Sequence, residues 1–237
     1  MKTIGLIGAM EEEVAALKDL MTDKVERQAA GMVFTKGMLW GVESVVCVSG
    51  IGKVNMAVCA QILVDLFGVN VLINTGVAGS LDASIDIGDI VLSSEAQQHD
   101  MDVSALGDPV GVIPRMDTSV FPADQELIEA AKRACEEANP DISCMVGKVV
   151  SGDQFIASPE KKEYLVKEFG GRCAEMEGAA MAQVAYLNQI PYLVIRAISD
   201  KSDNSGSEDY PVFAKKAIKH SLRLLEQLYR NEAKHWA

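Results

Sequence analysis

The chain has no apolar run approaching 18 residues, no two cysteines in C-x-x-C spacing, only three histidines, and 22 basic side chains against 34 acidic ones. Each shortage excludes something. Without a long apolar run no membrane-spanning helix is expected, and the N-terminal TIGLIGAM is too short for a signal-sequence core and runs directly into Glu11, Glu12 and Glu13. The five cysteines (Cys47, Cys59, Cys135, Cys144, Cys173) are odd in number and scattered, so they read as reduced core thiols, and the protein is expected in the cytoplasm. A net charge of −12 repels nucleic acid and anionic membrane, so neither is expected as a partner. With histidine so scarce, HDMD at 99–102 is the one candidate metal cluster, and a polar turn is its blander reading.

Two nucleotide motifs fail on inspection. SGIGKVN invites a P-loop reading, but a Walker A loop needs glycine at position 47, where Cys47 stands, followed by Val48. GLIGAM is not G-x-G-x-x-G, so a dinucleotide cofactor has little support.

What is present is an ordinary globular composition, 49% hydrophobic and 24% charged, in 237 residues. That length suits one domain, residues 1–237, burying roughly 70 to 75% of its unfolded surface. Short β-type runs alternate with helical patterns. TIGLIGA (3–9) is a strand, followed by a helix with Val14, Leu17 and Met21 on one face. Residues 42–50 read as a strand and 53–68 as a helix; 69–80 and 88–97 are further strands. The stretch 101–122, with Pro109, Pro114 and Pro122, is irregular and long enough to be functional. Helices are predicted over 123–138, 158–169, 176–189 and 211–233, and strands over 143–155 and 191–199. The alternation predicts an α/β fold around a mainly parallel or mixed sheet.

Three acids stand out by position. Glu13 lies just past the first strand, Asp200 just past the last in VIRAISDKSD, and Glu177 opens the otherwise apolar helix MEGAAMAQ. Ligands of open α/β sheets bind outside the carboxyl ends of the strands, so at least Glu13 and Asp200 should face one crevice. Taken singly, each has a plainer reading: Glu13 and Glu177 as acids complementing a helix dipole, Asp200 as a cap for the next turn.

At these residues the sequence resembles the 5′-methylthioadenosine/S-adenosylhomocysteine nucleosidases of the nucleoside phosphorylase superfamily. IGAMEEEV, SGIGKVNMA, NTGVAGS, GDIVLSSEAQQHDMDV, VSGDQFI, AEMEGAAMAQV and VIRAISDKSD occur in that family's order and spacing. The resemblance implies a three-layer α/β/α sandwich with a central mixed, mainly parallel twisted sheet, a homodimer, and irreversible hydrolysis of an N-glycosidic bond to give adenine and a 5-thio-substituted ribose, as in methionine salvage. It implies no metal and no organic cofactor. By the matching motifs Asp200 is the general acid toward adenine N7, and Glu13 positions and deprotonates water. Glu177 and Met176 bind ribose, Phe155 stacks on adenine, and the backbone of Ile156 reads its edge. Ser199 orients Asp200, and Arg196 lies near the carboxylates and water. Met10, Ile51, Val77, Val103, Leu106, Pro114 and Tyr210 fall among the substrate-binding positions, with Val103, Leu106 and Pro114 reaching the neighbouring subunit's site. Leu106 and Tyr210 replace phenylalanines, and Val77 replaces a serine, found in some relatives.

The chemistry fits these residue types. Cleaving a purine nucleoside leaves negative charge on the base and oxocarbenium-like charge on the sugar, so a proton donor is needed on one side and anionic groups on the other. A free Asp titrates near ~3.9, so Asp200 must be raised, by desolvation and by the neighbouring carboxylates. Three acids opening the first helix would repel phosphate, favouring hydrolysis over phosphorolysis. The alternatives are a related nucleosidase acting on aminodeoxyfutalosine, a purine nucleoside phosphorylase, and a non-catalytic storage or binding protein on the same scaffold.

Overall fold

The computed structural model describes residues 2–200 and 210–236, with side chains from residue 215 onward in the second span. The order is β1 (Ile4–Gly8), α1 (Glu11–Leu20), β2 (Thr22–Ala29), β3 (Met32–Leu39), β4 (Val42–Val48), α2 (Lys53–Phe67), β5 (Val71–Ser80) and β6 (Ile90–Gln98). After a single 3-10 turn at Ser104–Leu106 come β7 (Val120–Pro122), α3 (Gln125–Ala138), β8 (Cys144–Ser151), α4 (Pro159–Phe169), β9 (Cys173–Glu175), α5 (Gly178–Asn188), β10 (Tyr192–Asp200) and α6 (Tyr210–Trp236).

Alternation along the strands makes the layers, because successive side chains point to opposite faces. Ile4 and Leu6 of β1, Val71 and Ile73 of β5, and Leu193 and Ile195 of β10 pack with α1, α3 and α6. Ile7, Leu72 and Val194, one residue out of phase, pack with α2 and α5. Both faces of the central strands are therefore apolar and covered, which gives the predicted three-layer α/β/α sandwich. A smaller cluster of Leu81, Val150, Leu165 and Phe169 seats α4.

The sheet runs β10-β6-β8-β9-β5-β1-β4-β3-β2, with β7 on β6. β1, β4, β5 and β10 are parallel neighbours, whereas β6 meets β10 antiparallel. Because β10 pairs both β5 and β6, and β9 links β8 to β5, this half of the sheet closes on itself. The closure gathers the ends of β1, β5, β9 and β10 at one place.

Three regions differ from the pattern read in the sequence. The stretch 101–122, read as irregular, ends in the three-residue strand β7, which pairs antiparallel with β6. β2 and β3 form an edge hairpin whose first strand, TDKVERQA, is almost wholly exposed and so carries no apolar alternation. Its turn is Ala30-Gly31, and that between β3 and β4 is Trp40-Gly41, all four at positive φ, as two-residue hairpins with right-handed strands require. The short strand β9 was also not foreseen; three residues are too few to show a period.

Helix ends follow local chemistry. α2 and α4 stop at Gly68 and Gly170, both in the left-handed region. α4 begins with Pro159 after Ser158, whose hydroxyl accepts from the Lys161 amide at 3.1 Å. Among the described residues no helix is long and apolar enough to cross a membrane. Four of the five cysteines are buried, and all five are free thiols.

Removing the cap oxygen from α4 should have a measurable cost. Ser158→Ala is expected to lose about 1 kcal/mol, lowering the calorimetric Tm by about 2 to 4 °C. A melting temperature equal to the parent's would show that this hydroxyl contributes nothing.

Candidate active site

β1, β5 and β10 end side by side, and Glu13, Glu177 and Asp200 line one cleft of about 180 Å³ at that edge. Glu13 is the third residue of α1, and it does what its plainer reading required and more. Its Oε2 accepts from the amides of Ala9 (2.7 Å) and Met10 (3.0 Å), and its Oε1 reaches across to the amide of Val77 in β5 (3.2 Å). Glu11 and Glu12 are exposed, so only one of the three acids turns inward. Val77 thus serves the glutamate through its backbone.

Arg196 holds this group together from beneath. Its side chain is buried in the middle of β10 and donates to the Glu175 carboxylate from Nε (3.1 Å) and Nη2, and to Asn74 Oδ1. Nη2 also lies 3.9 Å from Glu177 Oε2. Burial would lower its pKa, yet Glu175, Glu177 and Glu13 together raise it. Arg196 can approach Glu13 because residue 76 is glycine: a Cβ there would sit 2.7 Å from both Arg196 Nη1 and Glu13 Oε1.

Glu177 is at the N-cap of α5 but does not cap it. That work falls to Glu175, whose carboxylate accepts from the amides of Glu177 (3.1 Å) and Gly178 (2.8 Å) and from the Ser151 hydroxyl. Freed from capping, Glu177 accepts from the Gly52 amide at 2.8 Å. Burial first, and then the nearby Glu175, push its pKa up to about 7 against the pull of Arg196 and the Gly52 amide. Burial likewise raises Glu13, opposed by Arg196 and its three amides.

Asp200 is the last residue of β10, after a bulge at Ser199, and pairs with Gly79 of β5. A Cβ at 79 would lie 2.8 Å from Asp200 Oδ2. The Ser199 hydroxyl donates to Asp200 Oδ1 at 3.1 Å. Its pKa is raised, as the sequence chemistry demanded, but by burial; Ser199 and Lys162 pull it down. Among the described residues no neighbouring carboxylate contributes to that rise. The ammonium of buried Lys162 on α4 lies 3.9 Å from Oδ2.

Met10, Ile51, Val77, Phe155, Met176 and Ser199 complete the lining. Phe155, Met176 and Asp200 also border an adjoining recess with Ile156 and Lys162. The chain's own cleft does not include Val103, Leu106 or Pro114; Leu106 is 84% exposed. The side chain of Tyr210 lies outside the described residues, as does everything in 201–209. HDMD makes no metal centre: Asp100 pairs with Lys53 at 2.6 Å, and among the described residues no group of three or more His, Cys, Asp or Glu could hold a metal ion. Residues the sequence reading missed are Glu175, Lys162, Gly76 and Gly79. Gly76 and Gly79 within an apolar strand signal close approach by another group; Lys162, one of several lysines on a polar helix, gives no such signal.

The Phosphorylase superfamily pattern matches residues 3–230. A 5′-methylthioadenosine/S-adenosylhomocysteine nucleosidase of Shewanella loihica is 40% identical over 229 residues, 96% of this chain and 99% of the relative. Among solved structures, the nucleosidase of that name from Neisseria meningitidis, in complex with methylthio-immucillin-A, superposes with a TM-score of 0.90 at 34% identity, covering 98% of this chain and 100% of that one. A futalosine hydrolase of Helicobacter pylori superposes with a TM-score of 0.90 at 35% identity, covering 97% of this chain and 98% of the other. Matched along nearly its whole length in sequence and in fold, the chain belongs to the phosphorylase superfamily and, within it, to the 5′-methylthioadenosine/S-adenosylhomocysteine nucleosidases.

Proposed function

We propose that the protein hydrolyses the N-glycosidic bond of 5′-methylthioadenosine, S-adenosylhomocysteine and 5′-deoxyadenosine, releasing adenine and the corresponding ribose, with water as the attacking group and no cofactor. One observation carries the reading: a single cleft is lined both by a half-buried, pKa-raised aspartate and by the carboxylates Glu13, Glu175 and Glu177, which are gathered on buried Arg196. That division matches the charge that develops when a purine leaves a ribosyl cation.

In this reading Asp200 gives its proton to adenine N7, oriented by Ser199, and Lys162 steadies the carboxylate left behind. Phe155 stacks on the base, and the backbone of Ile156 hydrogen-bonds to its edge. Glu177 accepts from the ribose hydroxyls beside Met176, having two oxygens for two donors. Glu13, with Arg196 nearby, orients water and takes its proton. Met10, Ile51 and Val77 line the sugar side.

Residues 103–114 would complete the 5′ pocket of a second copy, and the protein would work in the cytoplasm as a homodimer. Exposed apolar side chains support the pairing: Ile51 at 55%, Val54 at 74% and Leu106 at 84%. A charge placed on one of these exposed apolar positions should weaken the pairing, so Val54→Asp is expected to elute as a monomer in gel filtration and to bind substrate more weakly. A dimer of unchanged affinity would place the interface elsewhere.

Adenine release in phosphate-free buffer, with each nucleoside and with aminodeoxyfutalosine as a further arm, tests the activity. Turnover is expected without phosphate, and Asp200→Asn should lose about 10² to 10⁴ of it. A requirement for phosphate with release of ribose 1-phosphate would make the protein a phosphorylase.

The pH dependence of stability follows from Glu177, whose value of about 7 lies above the ordinary 4.5. The native state binds the extra proton between these values, so this group's contribution is complete below the lower one and is lost as pH rises through the upper. Glu177→Gln, which never ionises, should gain in Tm relative to the parent as pH goes from about 5 to about 8 in the ligand-free protein. A difference that stays constant over this range would mean that Glu177 titrates normally.

A further inference from the structure

The HDMD segment at 99–102 is not absorbed by the reaction, and neither is Lys53, which follows the glycines of SGIGK. Together they build a closed set of hydrogen bonds between three separate stretches of chain. Asp100 Oδ1 accepts from Lys53 Nζ at 2.6 Å, and Oδ2 accepts from the Asp153 amide at 2.8 Å. Asp153 Oδ1 accepts from the Lys53 amide at 2.8 Å. Lys53 Nζ also donates to Gln98 Oε1 at 2.8 Å. None of Lys53, Asp100 and Asp153 lines the cleft. The next amide along, that of Gly52, is the one that donates to Glu177.

We propose that Lys53, Asp100 and Asp153 form a positioning staple for ribose recognition: they fix the β4–α2 turn so that the Gly52 amide holds Glu177 Oε1 and sets the orientation in which the carboxylate meets the sugar hydroxyls. The proposal rests on the reading of Glu177 as the ribose-binding group. The turn needs such a fixture. Gly52 has φ of +97°, which side chains avoid, and a Cβ on it would lie 3.0 Å from Asp153 Oδ1, so Asp153 packs directly against the peptide it orients. The pair is shielded, with Lys53 and Asp100 side chains only 17% and 13% exposed. Burial would raise Asp100, yet Lys53 and the Asp153 amide hold it below its ordinary value, so Asp100 keeps its charge at neutral pH. Around Glu177 itself stand Glu175 from β9, Arg196 from β10 and Glu13 from α1. Arg196 and the Gly52 amide are what favour its ionised form.

The test uses the full-length protein with 5′-methylthioadenosine and its 2′-deoxy analogue, comparing the parent with Lys53→Met, Asp100→Asn and Lys53→Arg. For both breaking variants kcat/KM on the ribonucleoside should fall about tenfold, mostly through KM, as for loss of one hydrogen bond to a charged acceptor. The fall on the deoxy analogue should be smaller, the acidic limb of the kcat/KM profile should move to higher pH because Glu177 loses an amide favouring its charge, and Lys53→Arg should recover most of the loss. Equal losses on both substrates with an unmoved acidic limb would overturn the proposal, leaving the pair as a fold-stabilising contact. The outcomes separate the two levels of inference. A parent enzyme indifferent to the 2′-hydroxyl would remove Glu177 from ribose binding and take the staple with it. A parent that discriminates, with discrimination intact in Lys53→Met, would overturn the staple alone.

Discussion

The arrangement depends on one buried cation. Arg196 is 1% exposed, and Glu13, Glu175 and Glu177 are gathered on it. Removing an arginine from water is costly unless its donors are all met, so a position inside a parallel strand demands carboxylates around it. Three acids on one base leave the cluster short of positive charge. Burial first, and then that imbalance, raise the pKa of Glu177: Glu175 takes two of the guanidinium's hydrogen bonds, whereas Glu177 stands 3.9 Å off. A ribosyl cation forming above the cluster would supply the charge it lacks. The energy spent in burying the carboxylates is then recovered in the transition state more than in the ground state, which is the condition for catalysis.

The fold makes the gathering sterically possible. Arg196, Glu13 and Asp200 approach β5 at Gly76 and Gly79, where the strand has no side chain to obstruct them. Closure of β5, β10, β6, β8 and β9 brings β9 into contact with the end of β5, and Glu175 with it. One short strand therefore connects the cap of α5 to the counter-ion of Arg196. Glu175→Gln would weaken both at once, so its effects could not be read as those of a single contact.

How much of this was legible in the sequence differs from residue to residue for physical reasons. Glu13 and Asp200 could be found because each follows an apolar strand at its carboxyl end, where topology predicts a crevice, whereas Glu177, conspicuous in an apolar helix, needed the family resemblance to join them. The central strands and their coverage on both faces were equally readable, since burial on two sides leaves near-continuous apolar runs. β2 was not, because an exposed edge strand has no face to bury and looks like a loop. Asp200's environment was half readable: the apolar strand before it foretold desolvation, but nothing in SPEKKEYLVKEF told which lysine of α4 would turn inward. The pairing of Lys53 with Asp100 was also hidden, for the partners are 47 positions apart and meet only where two loops cross.

The choice between water and phosphate was argued from three acids at the start of α1, yet two of them face solvent, and the structural case is different and stronger. Helix N-termini are where this kind of fold could bind an anion, through amides left without partners. Around the cleft several amides near those termini are bound by the protein's own oxygens. Glu13 accepts from Ala9 and Met10 at the head of α1, and from Val77 at the exit of β5. At the head of α2, Gly52 donates to Glu177 and Lys53 to Asp153. At the head of α5, Glu175 accepts from residues 177 and 178, and Ser151 from Ala179. Arg196, the strong cation here, is committed to Glu175. A phosphate entering this cleft would meet carboxylates in place of donors, whereas a neutral water can accept a place among them and give up its proton to one. Among the described residues, the carboxylates lining the cleft and the commitment of Arg196 to Glu175 disfavour an anionic nucleophile and suit a neutral water.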